Sequence, residues 1–171
     1  PNLPEARVLA AALGRAYGAD GIAAGMRPTG TTHVSVVDAD GAAIGLSSTL
    51  GSGSGVFRHG FQLNNMLGEL DVIGVEPRAA GTRLPSMMTP TLVLDDGGEP
   101  RLVAGSAGSV RLAGAILQVV EAVVGQGLPV DEAISRPRLH VDGGTAHVEG
   151  GWAADVAPAL EEVGFDVRRW S

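Results

Sequence analysis

Thr31 follows Gly30 directly, at the head of the run Gly30-Thr31-Thr32-His33-Val34-Ser35-Val36-Val37-Asp38. A threonine hydroxyl becomes a strong nucleophile when a base lies beside it, and the threonine's own freed α-amine can be that base. The glycine carbonyl ahead of it is small and unhindered. An unperturbed α-amine titrates near ~7.7–8.0, which suits proton transfer around neutral pH. His33 lies two residues after Thr31, on the same face of a strand, and is a second base by position. Because the amine is already suited to the task, we read His33 as strand packing.

Other chemistries are closed off by residue type. There is no cysteine, which excludes disulfides, thiolate metal sites and cysteine nucleophiles. His33, His59, His140 and His147 show no metal-ligand spacing, so neither a metal nor a cofactor is expected. The run Gly51-Ser52-Gly53-Ser54-Gly55 has the glycine content of a phosphate cradle. No Gly-Lys-Ser/Thr follows it, and a flexible active-site loop is the better reading. A net charge of −7 argues against nucleic acid and against an anionic membrane surface, both of which select basic patches. Arg168-Arg169 is the only adjacent basic pair and reads as a solvated end. No uninterrupted apolar run reaches the ~18 residues of a membrane span. Residues 1–7 lack the basic-then-apolar order of a leader.

The elements that must position Thr31 follow from periodicity. The chain has 171 residues, enough for one domain with a sizeable core. Hydrophobic residues make up 44% and charged ones 18%, a globular balance, while 4% aromatics leave the core to Val, Leu, Ile and Ala. Residues 3–17 read as an amphipathic helix and 19–30 as a loop. Residues 32–38 and 42–50 read as strands around the turn Asp38-Ala39-Asp40-Gly41. Residues 91–94 and 101–104 form a second hairpin around Asp95-Asp96-Gly97-Gly98. Residues 110–124 are a helix with apolar residues on nearly every side, the pattern of burial on more than one face. A helical turn at 130–135, a third hairpin from 138–141 and 146–149, a helix at 154–163 and a strand at 165–167 complete the order. Helices against an antiparallel sheet make an α+β protein.

The opening stretch resembles the processing site of the gamma-glutamyltranspeptidase family of N-terminal-nucleophile (Ntn) hydrolases, whose precursors cut themselves immediately before such a threonine. Four further segments are similar to the family in the same order: Ser47-Ser48-Thr49-Leu50, Gly60-Phe61-Gln62-Leu63-Asn64-Asn65 with Met66 and Glu69, Arg83-Leu84-Pro85-Ser86-Met87-Met88-Thr89-Pro90-Thr91, and Gly105-Ser106-Ala107-Gly108-Ser109. The resemblance implies Thr31 as nucleophile, Gly30–Thr31 as the processing site, and Thr49 as the residue that orients the Thr31 hydroxyl. It implies that Asn65 and Glu69 help bind the substrate's α-amino group, that Ser86 holds its α-carboxylate, and that the Gly108 and Ser109 N–H groups form the oxyanion hole. Read alone, Thr49 is an ordinary β-branched strand residue, Glu69 a solvated charge, Ser86 part of a Pro-bounded loop, and Ser106 or Ser109 a helix N-cap.

Three positions depart from the family pattern. Gly51 stands where an Asn is expected two residues after the orienting Thr, Met66 replaces a polar residue, and Met87 replaces a second serine. The nucleophile and oxyanion segments match the family better than the amino-acid clamp does. The resemblance implies an αββα Ntn-hydrolase sandwich of which this chain supplies part. Residues 1–30 would be the tail of a large-subunit portion and residues 31–171 the small-subunit-like domain. A large-subunit portion would be a partner and a small γ-glutamyl compound such as glutathione the substrate, with transfer to water or an amine. Two alternatives stand beside this: an acylase on a glutaryl or polyglutamate amide, and a non-catalytic fragment that self-associates through an uncovered apolar face. Family members are often secreted or periplasmic, but the compartment is not read from the residues.

Overall fold

A computed structural model of the chain describes residues 30–70, 74, 76, 78–84 and 86–171. The helix expected at 3–17 lies outside the described residues. The described chain divides into two compact units, residues 30–116 and Leu117–Ser171.

The first unit opens with strands β1 (Thr31–Val37) and β2 (Ala43–Thr49), paired antiparallel with Thr31 opposite Thr49 and Val37 opposite Ala43. The hairpin closes as its sequence requires. The Asp38 carboxylate accepts the N–H groups of Asp40 and Ala42, each at 2.9 Å. An Asx-type turn of this kind is the reason Asp is favoured at such corners. A short hairpin, β3 (Phe57–Arg58) and β4 (Phe61–Gln62), follows around His59 and Gly60, an element that periodicity did not indicate. Strands β5 (Thr91–Leu94) and β6 (Pro100–Ala104) form the expected second hairpin, with a register shift between Val93 and Leu94. Its turn repeats the device: Asp95 accepts the N–H groups of Gly97 and Glu99. Strand β6 runs beside both β1 and β2.

The β1–β2 hairpin has an unusual distribution of polarity. Thr31, His33 and Ser35 lie on one face with Thr49, Ser47 and Gly45 opposite them. Val34, Val36, Ile44 and Leu46 lie on the other face, and each is about half exposed or more. Strands alternate faces with a period of two, so a single shift of register would exchange these sets.

The expected helix at 110–124 is broken into three kinds of turn: a 3-10 segment Ser109–Arg111, helix α1 (Leu112–Val120) and a π-helical turn Glu121–Gly125. Val110, Leu112, Ile116 and Ala122 are buried, while Leu117 and Val124 are 42% and 48% exposed. Gly114 is also buried, about 200° round the helix from Leu112, so burial reaches more than one face, as the composition suggested, and Leu117 and Val124 share the exposed stripe.

In the second unit, helix α2 (Val130–Ser135) precedes strands β7 (Leu139–Asp142) and β8 (Thr145–Glu149), the expected third hairpin. Helix α3 (Val156–Glu162) then leads to β9 (Asp166–Trp170), which pairs parallel to β8. A parallel neighbour needs a crossover connection, and α3 supplies it, so the last strand departs from a purely antiparallel reading. Leu139, Val141, Ala146 and Val148 pack with Val156 and Leu160 of α3 to form the core, with Trp152, Phe165 and Val167 at its edge. Gln118, one of the few polar residues of α1, pairs its side-chain amide with the backbone of Leu139. Its Nε2 donates to the Leu139 carbonyl and its Oε1 accepts the Leu139 N–H, both at 2.9 Å. The amide thus supplies the partner that a neighbouring strand would otherwise provide.

Candidate active site

Every residue expected at the site belongs to the first unit. Antiparallel pairing sets Thr31 directly across from Thr49 at the open end of the hairpin. The Thr31 hydroxyl donates to the Thr49 hydroxyl at 3.1 Å, and both residues are half-buried. The Gly51 N–H also donates to Thr49 Oγ1, at 3.1 Å. The Thr49 oxygen is therefore held from below by a backbone donor while it accepts the Thr31 hydroxyl. Two donors fix the Thr49 oxygen, so the Thr31 hydroxyl meets an acceptor held in one place. The Leu50 N–H donates to the Gly30 carbonyl at 3.3 Å, so the strand pairing continues to the bond in front of Thr31.

Beyond Thr49 the chain turns sharply. Gly51 is buried with φ of 61°, and it forms a parallel bridge with Asn65. The Asn65 N–H donates to the Leu50 carbonyl at 2.8 Å, and Asn65 Nδ2 donates to Ser52 Oγ at 3.0 Å. A Cβ at position 51 would stand 2.8 Å from the Asn65 carbonyl oxygen. No L side chain fits there without moving the Asn65 backbone, and φ of this sign favours glycine. The Asn expected at this position from the resemblance would not fit without moving the Asn65 segment.

The other residues expected at the site, Glu69 and Ser86, are not joined to the Thr31–Thr49 pair. Glu69 ends the 3-10 turn Met66–Gly68, its N–H donating to the Met66 carbonyl at 3.1 Å. Ser86 is exposed and its hydroxyl accepts the Met88 N–H at 3.2 Å. Among the described residues, neither side chain hydrogen-bonds to Thr31, Thr49 or Asn65.

The segment Gly105–Ser109 leaves the end of β6 and enters the 3-10 turn before α1. Gly108 has φ of 139°, a conformation reserved for glycine, and its carbonyl accepts the Arg111 N–H at 3.3 Å. The Ser106 hydroxyl donates to the Ala107 carbonyl at 3.3 Å, so it does not cap the helix that follows.

His33 differs from a packing residue. Its Nδ1 lies 2.8 Å from Ser47 Oγ and its Nε2 lies 3.0 Å from Ser35 Oγ. The Ser35 hydroxyl in turn donates to the Val103 carbonyl of β6 at 3.2 Å. The signal was present in the sequence as the alternation Thr31, His33, Ser35 with Ser47 and Thr49 across the turn, a polar set too regular for a core face. Among the described residues, no group of three or more His, Asp or Glu side chains could hold a metal ion, and no helix is long and apolar enough to cross a membrane.

The sequence profile of the gamma-glutamyltranspeptidase family matches residues 7–171. The glutathione hydrolase proenzyme of Escherichia coli is 35% identical over 155 residues, covering 80% of this chain and 27% of that protein. The glutathione hydrolase proenzyme of Pseudomonas aeruginosa is 35% identical over 132 residues, covering 68% of this chain and 24% of that protein. The chain therefore spans about a quarter of the length of these relatives. Among solved structures, a T380A mutant of Helicobacter pylori gamma-glutamyltranspeptidase superimposes with a TM-score of 0.69 at 30% identity, covering 81% of this chain and 84% of that one. With its profile match running almost end to end and its structural neighbours sharing the Ntn-hydrolase fold, the chain belongs to the gamma-glutamyltranspeptidase family.

Proposed function

We propose that this chain carries the nucleophile of a self-processing γ-glutamyl hydrolase or transferase. The observation that carries the reading is the pair of hydrogen bonds on Thr49 Oγ1, one from the Thr31 hydroxyl and one from the Gly51 N–H, immediately after the Gly30 carbonyl. In the first stage Thr31 Oγ1 attacks the Gly30 carbonyl carbon and the Gly30–Thr31 C–N bond breaks, leaving an ester and a free Thr31 amine. Water then cleaves the ester, giving a Gly30 carboxylate and a restored Thr31 hydroxyl. In the second stage the amine takes the hydroxyl proton as Oγ1 attacks the γ-carbonyl of the substrate. The proton passes to the leaving amine, and the acyl ester is resolved by water or by an acceptor amine. The backbone N–H groups of Gly108 and Ser109 are assigned to the oxyanion, and Asn65, Glu69 and Ser86 to the amino-acid part of the substrate.

The large portion that precedes the nucleophile in relatives named proenzymes is assigned as the partner that covers the apolar face of Val34, Val36, Ile44 and Leu46. Without such a cover, we expect the 171-residue chain to be inactive and to self-associate. The test uses the full-length protein, followed by mass spectrometry and by release of p-nitroaniline from γ-glutamyl-p-nitroanilide. Cleavage before Thr31 and turnover should both be lost in Thr31→Ala. Survival of either in that variant would overturn the proposal.

A second reading is favoured by Gly51, where the backbone leaves no room for a polar side chain, together with Met66 and Met87. It keeps the same nucleophile and replaces the substrate with an acyl amide lacking the α-amino acid group, such as a glutaryl amide. Faster hydrolysis of glutaryl-p-nitroanilide than of γ-glutamyl-p-nitroanilide by the full-length protein would select it.

A further inference from the structure

The imidazole of His33 lies where a side chain at Gly105 would have to go. A Cβ built on Gly105 would overlap the ring itself, at Nδ1 and Cγ. A Cβ on Gly45, on the neighbouring strand, would stand 3.3 Å from His33 Cε1 and 3.2 Å from Val103 Cγ1. The ring therefore sits between two glycines, one on β2 and one at the start of the segment Gly105–Ser109.

The hydrogen bonds around the ring run in one direction. Ser35 donates its hydroxyl proton to the Val103 carbonyl and has none left for His33. His33 Nε2 must therefore be the donor to Ser35 Oγ, at 3.0 Å. In the neutral ring Nδ1 is then an acceptor, and it accepts the Ser47 hydroxyl at 2.8 Å. The chain reads Ser47 to His33 to Ser35 to Val103, and it ties β1, β2 and β6 together through one side chain. Val103 precedes Gly105 by two residues, so the hydrogen-bonded chain and the ring contact reach the same turn.

We propose that His33 is a positioning residue. Held as the Nε2–H tautomer by Ser47 and Ser35, its ring fills the space left open by Gly105. It thereby fixes where the segment bearing the Gly108 and Ser109 N–H groups lies against the strand bearing Thr31. The inference rests on the proposed role of those groups, but the contact itself can be tested apart from it. His33 exchanges no proton with substrate in this account. It sets a distance, and misplacement of an oxyanion donor by about 1 Å can cost about a hundredfold in rate.

The experiment is a double-mutant cycle in the full-length protein with His33→Ala, Gly105→Ala and the double variant. Gly105→Ala should lower kcat by about tenfold to a hundredfold with little change in KM, because its methyl group displaces the ring. In the His33→Ala background the same substitution should cost less than about twofold, because the ring is gone. His33→Gln, which keeps a donor near Ser35, should recover part of the loss seen in His33→Ala. Single effects that multiply in the double variant would overturn the proposal. So would His33→Ala at native kcat. Should Gly105→Ala fail to fold, Ser35→Ala takes its place in the cycle with the same two outcomes. A second readout needs no turnover: nitrogen-15 NMR of labelled histidine, with the His33 signal identified by its loss in His33→Gln. It should show the neutral Nε2–H tautomer, and the Nδ1–H tautomer would refute the assignment. A full-length protein inactive on every γ-glutamyl amide but showing this tautomer would sink the proposed activity and leave the contact standing.

Discussion

Replacing Thr49 by Val tests the orienting hydrogen bond with almost no change of shape. The substitution removes the single acceptor shared by the Thr31 hydroxyl at 3.1 Å and the Gly51 N–H at 3.1 Å. The two donors lose different things. The half-buried Thr31 hydroxyl can turn to water, so its loss is one neutral hydrogen bond, about 1 kcal/mol. Released from one staggered well to three, it also occupies the reactive rotamer about a third of the time, worth about 0.6 kcal/mol. Together these amount to about 1.6 kcal/mol, or about fifteenfold in kcat/KM. The Gly51 N–H belongs to a buried residue and cannot reach water, so its loss appears in stability at about 1–3 kcal/mol. Thr49→Ser keeps the oxygen and should stay within about threefold of the native rate. The assay is release of p-nitroaniline from γ-glutamyl-p-nitroanilide by the full-length protein, with mass spectrometry to score cleavage before Thr31. Denaturant unfolding measures the second term. Thr49→Val at native kcat/KM, or Thr49→Ser as impaired as Thr49→Val, would refute the reasoning.

Gly108→Ala forces a methyl-bearing residue to φ of 139°, at a cost of about 1–3 kcal/mol, and should abolish most turnover while the protein still folds. Native kinetics in this variant would show that the conformation is not required. Gln118→Leu leaves the N–H and C=O of Leu139 without their partners and should lower unfolding free energy by about 2–4 kcal/mol. A loss below about 0.5 kcal/mol would mean that the α1–β7 pairing contributes nothing. Ile44→Lys with Leu46→Lys places two charges on the apolar face of the β1–β2 hairpin and should convert the 171-residue chain from associated to monomeric in sedimentation. A native chain that is already a clean monomer would remove the basis for that expectation.

Local signals carried most of the fold. Asp38 and Asp95 announced two hairpins because their carboxylates close the turns with their own backbone neighbours, an interaction complete within five residues. The small β3–β4 hairpin escaped because two-residue strands have no period to detect. The interruption of the helix at 109–125 escaped because a 3-10 start and a π-helical turn keep helical hydrophobic spacing while changing the hydrogen bonds. The parallel pairing of β9 depends on where α3 returns the chain, and alternation in β9 alone cannot report it. The site divides in the same way. Thr31 and Thr49 meet because a hairpin of known turn fixes their register. Glu69 and Ser86 come from segments whose placement is tertiary, so resemblance suggested their roles but spacing could not bring them to Thr31.

Gly51 shows how a departure from a family pattern can be a consequence of packing. Read along the chain, it is a lost polar contact. In the fold it is the residue that lets Asn65 approach within hydrogen-bonding range of Leu50, and its N–H holds the oxygen that receives the Thr31 hydroxyl. Restoring an Asn at position 51 would place a Cβ 2.8 Å from the Asn65 carbonyl oxygen and would move the Gly51 N–H off Thr49. The polar contact and the tight turn are therefore alternatives, and this chain has the turn. The physical expectation is that Gly51→Asn, made to recover affinity for the amino-acid part of a substrate, would weaken the orientation of Thr31 instead. On the proposed function, specificity and the placement of Thr31 would be coupled through one backbone amide.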